Sequence, residues 1–75
     1  MEKVWSHDHD DFPGRKAVVE ENPGAMESWR RFRTTVWENE AVVGQSLHAS
    51  FWMAKLTALE LFYGSLDKAK ELGAM

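Results

Sequence analysis

His7-Asp8-His9-Asp10-Asp11 is the one run in this chain that gathers the side chains metals prefer. In an extended segment, residues two apart point the same way, so His7 and His9 could set two imidazoles on one ion with an acidic residue such as Asp11 completing the set. Zinc, nickel or copper would suit imidazole. Such a site also needs a rigid support and further ligands. The only other histidine is His48, so the plainer reading is an acidic, solvated or partner-docking segment, with no cofactor.

Catalytic chemistry has less to stand on. The chain has no cysteine, no GxGxxG or GxxxxGK phosphate loop and no G-x-S-x-G elbow. Ser46 and His48 come nearest to a nucleophile and base, but on the helix expected there, residues two apart do not face each other. Glu60 beside an apolar stripe could act as an acid if buried; a boundary carboxylate paired with a cation is the commoner case. Trp29-Arg30-Arg31-Phe32-Arg33 mixes basic and aromatic groups as nucleic-acid binders do. Its aromatics, however, fall on an apolar stripe, and a pI near 5.5 gives no drive toward phosphate. No nucleic-acid partner is expected.

The elements that would carry these residues are organised around residues 47–63, where 12 of 17 side chains are apolar. At about 100° per residue, Phe51, Ala54, Ala58 and Leu61 line up with Leu47, while Trp52, Leu56, Leu59 and Tyr63 form a second stripe nearly opposite. A helix apolar on both sides is normally buried on both sides, and 75 residues offer little to cover it. Lys55 and Glu60 inside the stretch argue against a membrane span. With no charged start leading into an apolar run, and no cysteine, a cytoplasmic location is expected.

Residues 1–22 show no helical periodicity and carry the excess acidic charge, six acidic against three basic residues. They read as an extended, partly disordered arm with a Pro13-Gly14 turn, one short strand or turn possible at residues 17–19, and Trp5 and Phe12 as docking aromatics. Residues 23–75 read as a helical domain. Asn22 and Pro23 open an amphipathic helix over residues 25–43 with Trp29, Phe32, Val36 and Val43 on one side. Gly44-Gln45-Ser46 is either a hairpin loop or the interior of one long bent helix. Gly64-Ser65 closes the apolar helix and caps a short one over residues 66–72.

The expected fold is therefore all-α: an arm, a two-helix hairpin or bent long helix, and a short final helix. The expected function is a non-catalytic small subunit or adaptor. It would bind a larger protein or enzyme complex through Trp52, Leu56, Leu59 and Tyr63, with Trp5 on the arm. The alternatives are a homo-oligomeric helical bundle and, at lower weight, metal binding through His7, His9 and Asp11.

Overall fold

The computed structural model describes residues 1–75 and is an α+β fold, which overturns the all-α expectation. Four strands, β1 (Glu2–His7), β2 (Arg15–Glu21), β3 (Phe32–Glu38) and β4 (Ala41–His48), form an antiparallel meander in chain order. A 3-10 turn, Ser28–Arg30, lies between β2 and β3, and two helices follow the sheet, α1 (Phe51–Tyr63) and α2 (Leu66–Glu71). No helix is long and apolar enough to cross a membrane.

The segment read as an amphipathic helix is the β3–β4 hairpin. Phe32 and Val36, four apart, satisfy a helical stripe and a strand face equally well, because a period of two contains every i,i+4 pair. Thr34 between them disguised the alternation. It is fully buried on the same face, its hydroxyl donating to the Ala54 carbonyl at 2.8 Å, so a polar residue fills a core position without an unmet hydrogen bond. Three successive β-branched residues, Thr34, Thr35 and Val36, tip the segment toward a strand. The reversal falls at Asn39-Glu40, whose φ angles of 51° and 73° place both in the left-handed region that a tight two-residue hairpin requires. Gly44 is consequently mid-strand, neither a hairpin loop nor a helix interior. A Cβ there would sit 3.1 Å from Leu61 Cδ1, so the missing side chain is what lets α1 approach β4.

Residues 1–22 are likewise no free arm. β1 and β2 pair along their length, with a bulge between Lys3 and Trp5, and β2 pairs with all of β3. Phe12, in the connection between them, reaches the core edge on to Phe62 and Tyr63, with ring centroids 5.5 and 5.3 Å apart.

α1 begins later than residue 47. Ser50 accepts the Met53 N–H and caps it, while Leu47 and His48 belong to β4. Gly64 ends α1 in a left-handed conformation, and Ser65 caps α2 by accepting the Lys68 N–H. One face of α1 lies on β2 and β3. Ala54, Ala58 and Phe62, spaced by four, meet Ala17, Val19, Phe32 and Val36 in a single core that Leu59, Tyr63 and Ala69 complete. Two alanines at the crossing bring the helix close to the sheet; Phe62 and Leu59 supply volume, each worth about 1.5–3 kcal/mol of burial. Arg15 ties the end of α1 down. It donates to the Phe62 carbonyl at 2.7 Å and pairs with Glu38 at 3.1 Å, giving the carboxyl end of the helix a cation.

Candidate protein-binding face

The residues picked out by their chemistry do not converge. His7 Nε2 lies 2.6 Å from the Tyr63 hydroxyl, its ring stacked on Trp5 at 5.6 Å. Burial holds the His7 imidazole below its usual range, against the raising effect of Asp8, with His9 adding to the depression. Burial, and secondarily Asp11, pushes the Tyr63 hydroxyl up. His7 therefore stays neutral at pH 7 and ties β1 to α1. His9 Nδ1 accepts the Asp11 N–H at 3.0 Å, turning that nitrogen into its own loop. The structure does not bring His7, His9 and Asp11 together into a group of three side chains that could hold a metal ion.

Ser46 and His48 do face each other, since a strand sends i and i+2 to one side, and Ser46 Oγ lies 2.7 Å from His48 Nε2. Burial lowers the His48 pKa. Nothing orients the imidazole, because Nδ1 has no hydrogen-bond partner, and a catalytic pair requires that third group. The contact satisfies two polar groups at the margin of the sheet.

The five residues expected at an interface are split. Leu59 and Tyr63 lie in the protein's own core, Trp5 and Leu56 are half-buried, and only Trp52 stands out, 59% exposed with Lys55 over its ring at 5.7 Å. The Leu59 and Tyr63 part of the second stripe is covered from within, because Trp5, Phe12, Leu66 and Leu72 all pack against the core.

A broader unpartnered surface lies on the other side of the sheet, beyond the exposed Trp52 and Met53 of α1. Strand alternation sends Ala17, Val19, Phe32, Thr34 and Val36 to the helices; it sends Val18, Thr35, Trp37 and Leu47 the opposite way, where no helix lies. A bulge opposite Val36 and Trp37 brings Val42 onto this face beside Trp37. Val42 and Leu47 are exposed there, Trp37 is half-buried, and Val18 and Thr35 at the centre are buried. Gln45 donates to the Thr35 hydroxyl at 3.1 Å, and Arg33 pairs with Glu20 at 2.8 Å across the strands. A shallow depression of about 390 Å³, lined by Gly14, Lys16, Val18, Trp37 and Glu40, lies at one end. A second, of about 620 Å³, lies at the other, between the 3-10 turn and β4, with Trp29, Arg30, Arg33 and Leu47 in its walls. The pairing register puts Lys3, Lys16 and Arg33 on this side against a single Glu20 within the strands, in a chain whose net charge is −3.

Neither Trp37 nor Val18 was expected at an interface from the sequence. The available signal was the alternation of Arg33, Thr35 and Trp37 against Phe32, Thr34 and Val36, which a helical reading merges into one stripe.

No family model, curated protein or solved structure matches the chain.

Proposed function

We propose that this chain is a non-catalytic interaction module that docks the uncovered face of its sheet onto a partner protein whose contact surface is apolar with an acidic rim. One observation carries the reading: a four-stranded sheet has helices on one side only, and the other side combines Trp37, Val42 and Leu47 with a basic border. Antiparallel sheets do present one side to water, but that side is then normally polar. Exposed apolar surface that includes a tryptophan is the composition of an energetically dominant contact patch. Lys3 and Lys16 have no ion pair within the chain and are free to meet carboxylates on the partner.

The adaptor role expected from the sequence is retained, with its surface moved from α1 to the sheet. The helical-bundle oligomer has no bundle to rest on. The test is affinity co-purification of three tagged chains: wild type, Trp37→Asp and Trp52→Ala. The reading expects one defined protein captured by wild type and by Trp52→Ala, and lost with Trp37→Asp. Capture unaffected by Trp37→Asp, or retention of single-stranded nucleic acid in place of a protein, would refute it.

A further inference from the structure

We infer that the free edge of β4 pairs with the same edge of a second copy, joining two sheets into one of eight strands. β4 has a neighbour on one side only. It is eight residues long, longer than the average strand, and AVVGQSLH contains no lysine, arginine, aspartate, glutamate or proline. Proteins that keep an edge unpaired put such residues there. The opposite edge, β1, does so with Glu2 and Lys3. Val42, Val43 and Leu47 are exposed along β4, and Leu61 reaches over Gly44 from the helix side while remaining 41% exposed, so apolar groups flank the edge above and below.

The charges at the two ends of the strand select the occupant. Antiparallel pairing of two identical strands sets the start of one against the end of the other, each contact occurring twice. Glu40 immediately precedes β4 and makes no ion pair within the chain. Arg30 lies at the other end, lining the depression beside Ser46 and Leu47, where it stacks on Trp29 at 5.6 Å and meets Glu27 only at 3.6 Å in the open. Two-fold pairing brings each Arg30 toward the other copy's Glu40. Glu40 also occupies a left-handed turn position, φ 73°, where glycine would be unstrained. The single protomer gives no reason for a charged residue there; the paired edge does. In the dimer the two uncovered faces lie side by side, so association through the edge leaves the docking face free.

Sedimentation equilibrium of the full chain at low ionic strength tests this. Wild type is expected to be a dimer. Arg30→Glu places like charges at both symmetric ends and should weaken dimerisation about ten- to a hundredfold, since each exposed pair is worth up to about 1 kcal/mol. The double variant, Arg30→Glu with Glu40→Arg, should restore affinity to within a few-fold of wild type. Val43→Lys on the edge should leave a folded monomer by circular dichroism. A wild-type chain monomeric up to millimolar concentration, a dimer indifferent to Val43→Lys, or a double variant no better than Arg30→Glu would each overturn the proposal. Because Trp37 is not an edge residue, loss of partner capture by Trp37→Asp with the dimer intact separates this inference from the docking face.

Discussion

Replacing Phe62 and Trp37 by alanine, one at a time, should give very different losses of stability. Phe62 is fully buried, with ring centroids 5.0 Å from His7, 5.5 Å from Phe12 and 4.8 Å from Tyr63, so truncation removes the group on which β1, the following loop and α1 all converge. A buried Phe→Ala change costs about 3–5 kcal/mol through lost transfer energy and the cavity left behind. At about 0.05–0.15 kcal/mol per residue, a 75-residue domain holds about 4–11 kcal/mol in total. Phe62→Ala thus removes about a quarter or more of the stability and should bring the chain near its unfolding threshold at 37 °C. Trp37 is also a large aromatic, but it is half-buried on the side of the sheet away from α1 and α2, and its removal should cost about 1 kcal/mol or less. In melting temperature the two should differ by about 8 °C or more, at about 4–8 °C per kcal/mol for a domain of this size. Urea titration followed by circular dichroism measures both, with m-values checked for equality. Equal losses would mean that the Trp37 side of the sheet is already covered, which would refute the one-sided architecture.

Other consequences are as specific. His7 and His48 both titrate below their ordinary value of 6.5 because burial disfavours the imidazolium. Their contribution to stability is therefore complete above about pH 6.5 and is lost as pH falls from there through the lowered folded values; urea midpoints should drop between pH 7.5 and 5, and less steeply in His7→Gln. Arg15→Ala removes the donor to the Phe62 carbonyl and the Glu38 partner and should cost about 1–3 kcal/mol in chemical denaturation. Glu40→Gly relieves a positive φ and should stabilise the fold by about 0.5–1 kcal/mol, while weakening self-association in sedimentation.

What the sequence disclosed was local. Gly64 and Ser65 mark the end of one helix and the cap of the next because glycine takes the left-handed position without strain and serine supplies the acceptor. Residues 17–19, legible as a short strand or a turn, are the centre of β2. The sheet as a whole was hidden by three substitutions for the usual signals. Thr34 stands where an apolar residue would have shown the period of two, Asn39-Glu40 stands where Asn-Gly would have announced a hairpin, and Gly44 punctuates β4 without ending it. The apolar excess of residues 47–63 was real, but its explanation lay in the strands and the Phe12 loop that wrap it, so Leu59 and Tyr63 face inward. The docking face was out of reach for the same reason: strand alternation separates Trp37 from Val36, and a helical period does not.

Lysine acetylation of the chain, free and in complex with the protein that co-purifies with it, tests the docking face most directly. Lys3 and Lys16 border the uncovered side, whereas Lys55, Lys68 and Lys70 lie on the helices. The account predicts that complex formation protects Lys3 and Lys16 and leaves the helical lysines as reactive as before. Protection of Lys55 beside Trp52, with Lys16 still freely labelled, would contradict it and put the partner on α1.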